Sequence, residues 1–353
     1  MCGRTACTLA PDEFPKACRY KGKDGKIHEP TWRNGGGKYY PSYNISPQSF
    51  TPVLLSSQHF NNATSEDTSE RVLQPMRWGL IPSWHRGDPK EFSYNMSNAR
   101  SDTLLDKRSF KLPLEKGKRC VVLAEGFFEW ETLKGGKKQP YYIYFKKDAK
   151  GKIKEEDTSS HEDERFREKD PSSGKPDVKN VNTKDDSVEL RKVKEEDVEH
   201  CGDKHLLTMA GLFDCWQAPK GSANEGEELF SYTIITVDAA PSLKWLHNRM
   251  PAVLHGEEEV RQWLECGEVP WKKALNLVTP KDCLEWHPVS MMVNNSRNKS
   301  PECIKPIDLT QKTEKPVAGT LLSYFKRSPK KGEKTSSKEE PSEEPSQKKT
   351  RLQ

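Results

Sequence analysis

Residues 119–130 read Arg119-Cys120-Val121-Val122-Leu123-Ala124-Glu125-Gly126-Phe127-Phe128-Glu129-Trp130. An apolar, β-branched run ends at Ala124, a charged residue and a glycine interrupt it, and a second run carries a carboxylate between Phe128 and Trp130. Runs this short, bounded by Gly, Pro or charge, specify strands. The signature recurs outward along the chain at residues 53–56, 141–145, 205–213 and 232–237. Helical patterning is confined to residues 257–266 and 271–278, the second preceded by Pro270, which suits a helix start. Strands outnumber helices, with no β-α-β alternation and no internal repeat. The expected fold is therefore α+β, a single domain built on antiparallel β-sheets with peripheral helices.

Composition sets the boundaries of that domain. Of 353 residues, 33% are hydrophobic and 31% charged, too few apolar groups for the whole length to pack. Residues 150–203 are dominated by Lys, Glu, Asp and Ser and read as a charged, disordered insertion in a surface loop. From residue 311 to 353, Lys, Ser, Glu and Pro dominate and the chain reads as a disordered basic tail, leaving residues 2–310 as the domain. Residues 151–200 hold 11 Lys and Arg against 16 Asp and Glu, and residues 311–353 hold 11 against 6. With the chain at +5, the remainder also carries +5, a balance compatible with a phosphate-bearing partner. The nine cysteines show no CxxC and no paired spacing, which argues against structural zinc and against a secreted disulfide framework. No apolar stretch is long enough for a signal sequence core or a membrane span, so the expected setting is the cytosol or nucleus, without a membrane.

The chain begins Met1-Cys2-Gly3-Arg4. Removal of Met1 gives Cys2 a free α-amine beside its thiol, a pair no internal cysteine offers. The amine titrates near ~8 and the thiol near ~8.5, so both have a reactive fraction at neutral pH. An amine attacks an aldehyde to give a Schiff base, on which the thiol closes to a five-membered thiazolidine. Glu129, between aromatics, is placed for a raised pKa and for general acid–base work. His247, in His247-Asn248-Arg249-Met250-Pro251, could exchange a proton or cap a turn, and Asn98, in the run 95–102, could orient a thiol or imine or simply form a turn. Arg4, Arg77, Arg100 and Arg249, with Trp78 and Trp84, form the parts list of a single-strand nucleic-acid site: cations for phosphates and rings for bases.

These motifs together resemble the SOS response-associated peptidase, or SRAP, family. The resemblance spans residues 2–306 apart from the charged insertion. It rests on MCGR, RWGLIPSW, SNARSDT, GFFEW, TMAGLFDCW, TIITVD and HNRMP occurring in the family's order. It implies a covalent trap for abasic sites in single-stranded DNA, acting at replication forks in the nucleus and on chromatin. Carried over motif by motif, Cys2 captures the ring-opened deoxyribose and Asn98 orients the thiol or intermediate. Glu129 moves protons at the amine and the sugar, and His247 favours ring opening. Arg4, Arg77, Arg100 and Arg249 hold phosphates, with Trp78 near the DNA end and Trp84 close by. The resemblance also implies loss of Met1, a lyase-type Schiff-base step, no cofactor and no metal, and the protein is expected to be a monomer.

Within the tail, residues 318–325 resemble the box by which proteins bind the PCNA sliding clamp, with Leu321, Tyr324 and Phe325 as anchors and Ala318 where the box usually has Gln. Two other readings compete. A thiol peptidase using Cys2, His247 and Asn98 needs no α-amine. A non-covalent reader of modified cytosine is indifferent to the Cys2 thiol.

Overall fold

The computed structural model describes residues 2–60, 70–92, 94–146 and 206–310. The charged insertion and the expected clamp-binding box with Leu321, Tyr324 and Phe325 lie outside the described residues. The chain divides into a unit Met1–Asp308 and a unit Leu309–Gln353, and every described strand and helix belongs to the first.

Among the described residues there are fifteen strands and four short α-helices, numbered in chain order. Five long strands close on themselves: β6 (Phe50–Ser56), β7 (Arg71–Trp78), β9 (Arg119–Ala124), β12 (Leu207–Gln217) and β13 (Glu228–Asp238). The ring runs β13-β12-β9-β6-β7 with antiparallel pairs, and a parallel pairing of Ser231 and Tyr232 with Arg77 and Trp78 returns it to β13. The short strands β4 (Thr31–Trp32), β8 (Asn98–Arg100) and β14 (Arg249–Pro251) attach to its rim. A second sheet has the order β15-β11-β10-β1-β5, from β15 (Leu284–Pro288), β11 (Lys138–Phe145), β10 (Gly126–Thr132), β1 (Thr5–Cys7) and β5 (Ser42–Ile45). A two-stranded ribbon, β2 (Tyr20–Lys21) and β3 (Ile27–His28), completes the set. The expected antiparallel α+β architecture is what forms.

Strand β9 is apolar without alternation because both its faces are covered. One faces the ring; across the other lies α3 (Gly256–Leu264), whose buried Trp263 donates its indole N–H to the Cys120 carbonyl at 2.9 Å. Strand β10 instead divides its side chains by parity. Phe127 belongs to the main core between ring and sheet, whereas Phe128 joins a smaller core with Ala6, Tyr142, Val289, Val293 and Cys303 on the sheet's outer face. Glu129 shares the parity of Phe127 and so points with the inner face.

Helix α1 (Phe14–Ala17) and helix α2 (Arg108–Glu115) are peripheral, as are the two helices read from the sequence. Both of those are shorter than expected. Helix α3 ends at Leu264, and α4 (Trp271–Ala274) passes into a 3₁₀ turn, Leu275–Leu277. The strand over residues 232–237 likewise extends, to Glu228–Asp238, because its polar ends pair with β12 and β14.

A buried N-terminal cysteine at the seam of two sheets

Backbone pairing of Thr5 with Phe127 and of Ala6 with Gly126 lays the N-terminus along β10, and the Phe128 amide donates to the Arg4 carbonyl at 2.9 Å. The chain before Thr5 therefore runs past Glu129. A register shift in the β1–β5 pairing, between Thr5 and Cys7, bends β1 at this end. Cys2 reaches the seam between sheet and ring and is only 1% exposed. There Asn98, on the ring-side strand β8, donates its amide N–H to the Cys2 carbonyl at 2.8 Å. Strand β8 is held by parallel pairing of Asn98 with Ile234 and of Arg100 with Thr236.

The Cys2 thiol has its pKa pushed far up, by burial first and by the Glu129 carboxylate second, so the sulfur rests as a thiol. Glu129, 5% exposed, has its own pKa raised by burial, with Lys138 pulling the other way. His247 sits on the link from β13 to β14. Its Nδ1 lies 3.0 Å from the Arg249 backbone N–H and 3.2 Å from the Arg249 carbonyl, so the backbone of Arg249 fixes the ring through that nitrogen. Burial lowers its pKa, against the hydrogen bond to the Arg249 backbone, which raises it, so the neutral ring is favoured. Cys2, Asn98 and Glu129 thus meet from three separated stretches of chain. The link that carries His247 packs on the same sheet face, Trp245 lying edge-on to Tyr141, the residue opposite Glu129. Among the described residues no group of three His, Cys, Asp or Glu side chains is placed to hold a metal.

The arginines and tryptophans divide. Arg100 is exposed and paired with Asp102 at 2.8 Å, two residues from Asn98 on the same strand. Arg77 is half-buried, donates to the Gly79 carbonyl at 2.9 Å and lines a cavity of about 240 Å³ with Gln48, Phe92, Tyr94 and Asn95. Arg4 projects from the outer face, where it bonds Asn44 at 2.7 Å and the Val293 carbonyl at 2.8 Å and lies over the Trp130 ring.

Two residues do not fit the parts list. Arg249 has a side chain 4% exposed, held by Asp238 at 2.7 Å, Asp102 at 3.3 Å and the Thr236 carbonyl; its charge is neutralised inside the protein. Trp78 is 0% exposed, stacked on Tyr232 with its indole N–H satisfied by the Ser97 carbonyl, and is a core residue with no face for DNA. The exposed tryptophan of that motif is Trp84, on the loop after β7.

Sequence reasoning missed the clamp on Arg4. The Asn44 amide N–H group is within 3.1 Å of the carbonyls of Val293, Asn295 and Asn298, and its oxygen takes Arg4. Trp130 adds a bond to Asn294 at 2.6 Å. Polar partners some 250 residues apart leave no periodic signal.

Comparison with known proteins identifies the family. An abasic site processing protein of Xenopus tropicalis is 48% identical over 342 residues, covering 95% of this chain and 88% of its own. The rat protein of that name is 45% identical over 337 residues, covering 94% and 84%. An abasic site processing protein of Bacillus subtilis is 28% identical over 271 residues, covering 76% and 88%. A crystal structure of a Bacteroides thetaiotaomicron protein shares the fold, with a TM-score of 0.55 at 21% identity over 87% of this chain and 100% of its own. The model of the SOS response associated peptidase (SRAP) family matches residues 1–296. The chain belongs to the SOS response associated peptidase family.

Proposed function

We propose that this protein processes abasic sites in single-stranded DNA by trapping them covalently on Cys2. The observation that carries the reading is the buried Cys2, bonded by Asn98 and beside the Glu129 carboxyl. Its likeness to proteins named for abasic site processing points the same way.

Loss of Met1 frees the Cys2 amine. Because burial keeps the sulfur protonated, the amine attacks first, at C1′ of the ring-opened deoxyribose. Neutral His247, held at Nδ1 by the Arg249 backbone, turns its other ring nitrogen to the sugar. In the tautomer that carries the proton there, it donates a hydrogen bond to the ring oxygen and favours opening. Glu129 accepts a proton from the amine and returns it to the departing C1′ hydroxyl, which leaves as water, giving the imine. The Sγ–H then adds across C=N: sulfur bonds C1′, its proton goes to nitrogen, and the thiazolidine closes. Asn98 fixes the Cys2 backbone throughout. An abasic nucleotide has no base to unstack, so it enters such a pocket at little cost, and that selects for it. The product shields the aldehyde from strand cleavage, a role suited to the nucleus and to replication forks. A tether to the PCNA clamp through Leu321, Tyr324 and Phe325 would keep the protein there. A peptidase of the Cys–His–Asn type needs a thiolate, and a thiol raised by burial disfavours it.

The test is incubation with single-stranded DNA carrying one abasic site, followed by a denaturing gel. Wild-type protein gives a heat-stable adduct. Cys2→Ser keeps the amine and yields only an imine, seen after borohydride reduction and lost without it. A heat-stable adduct on Cys2→Ser would overturn the thiazolidine.

A further inference from the structure

The link that carries His247 also carries Trp245, which the chemistry of the trap leaves unused. Trp245 is 45% exposed and follows the 3₁₀ turn Pro241–Leu243. Its indole stands edge-on to Tyr141, centroids 5.0 Å apart at 84°, and lies 5.9 Å from Trp286 at 51°. Tyr141 is the β11 residue directly opposite Glu129, and Trp286 is the β15 residue opposite Ile143. Glu129, Tyr141, Ile143 and Trp286 therefore share one face of the sheet. The Tyr141 hydroxyl is fixed by donating to Glu131 at 3.1 Å. The result is an indole braced by two rings, open on the side toward solvent, at the edge of the site that holds Glu129 and His247.

The surroundings favour a strand of nucleic acid over a protein. Lys244 adjoins Trp245, and Lys138 opens β11 three residues before Tyr141; both are exposed. An aromatic plate flanked by cations is the usual device for holding a base and its phosphates without reading sequence. The plate also stands over Tyr141, directly opposite Glu129 on the same sheet face, so the occupant with the right reach is the nucleotide next to the one held at Cys2.

We propose that Trp245, braced by Tyr141 and Trp286, is a stacking platform for the nucleobase next to the lesion. The proposal rests on the reading of the Cys2 site as a trap for abasic DNA. It makes substrate choice depend on a base that is not damaged: at one flanking position purines, which stack better, are preferred to pyrimidines.

The test separates platform from trap. Equilibrium affinity is measured for wild type, Trp245→Ala and Trp245→Phe. One single-stranded oligonucleotide carries one tetrahydrofuran residue, an unreactive abasic analogue. A second carries three in a row and so lacks both neighbouring bases. Trp245→Ala is expected to bind the first about tenfold more weakly than wild type, within the range that base–aromatic stacking spans. Trp245→Phe recovers most of the loss, and all three proteins bind the second oligonucleotide equally. Unchanged affinity of Trp245→Ala for the first, or an equal loss on both, overturns the platform. Failure of the trap has a different signature: wild-type protein shows this pattern of affinities yet forms no adduct with a genuine abasic site.

Discussion

Glu129 bears opposed demands. A carboxyl in a dry seam destabilises the fold when ionised, and its raised pKa records that. The stability it allows is complete below the ordinary carboxylate pKa of ~4.3 and is lost as pH rises through the raised value. Glu129→Gln should therefore raise the thermal midpoint at pH 8 and add little at pH 4. It should also slow adduct formation about 10²- to 10⁴-fold, the usual share of a general acid–base group. A lower midpoint at pH 8 would show that the charge is stabilised there after all. His247 has the opposite sign. Its lowered pKa gives stability that is complete above ~6.5 and lost as pH falls through the folded value. His247→Gln should flatten that acid limb in melts between pH 7 and pH 4. At this scale motif density singled out the stretches that hold Asn98, Glu129 and His247, while their grouping with Cys2 came from the family resemblance and not from any one residue. Tryptophan defeated the same reasoning. An indole N–H can be satisfied inside, as Ser97 does for Trp78, so composition could not separate the core Trp78 from the exposed Trp84. Arg249 misled likewise, since Asp238 and Asp102 that bury its charge lie outside its motif.

Strands β6, β9, β11, β12 and β13 were legible because their runs are apolar or β-branched and are bounded by Gly, Pro or charge. The short strands β1, β5, β8 and β14 were not, although they carry or hold Cys2, Asn98 and Arg249. Three or four residues with polar members have no periodicity, and their extended form is imposed by neighbours. Ring closure, through the parallel β7–β13 pairing, was equally invisible, since it joins segments some 150 residues apart. The turn between β9 and β10 is the element on which the site's alignment depends. Gly126 opens β10 opposite Ala6, and a Cβ there would overlap the Tyr142 ring. Gly126→Ala should cost roughly 1–3 kcal/mol through the shift it forces. Urea denaturation measures it, and a loss below about half a kcal/mol would mean that the ring yields freely.

Every group assigned to the chemistry lies within Met1–Asp308, one compact unit. Deleting residues 311–353 should leave the rate of adduct formation on purified DNA within about twofold of the full chain, while abolishing any pull-down by the PCNA clamp. A large loss of rate would give the tail a part in DNA binding that its clamp-like box does not explain. The central claim, however, concerns the first residue that remains after Met1 is lost: amine and thiol of Cys2 both bond one carbon of the lesion. The most direct measurement is mass spectrometry of the cross-linked peptide after nuclease and protease digestion. The account predicts a peptide beginning at Cys2 and bearing one deoxyribose remnant less one water. Neither amine nor thiol should be open to alkylation. A remnant attached while Met1 is retained, or attached to a cysteine whose α-amine still reacts, would contradict it.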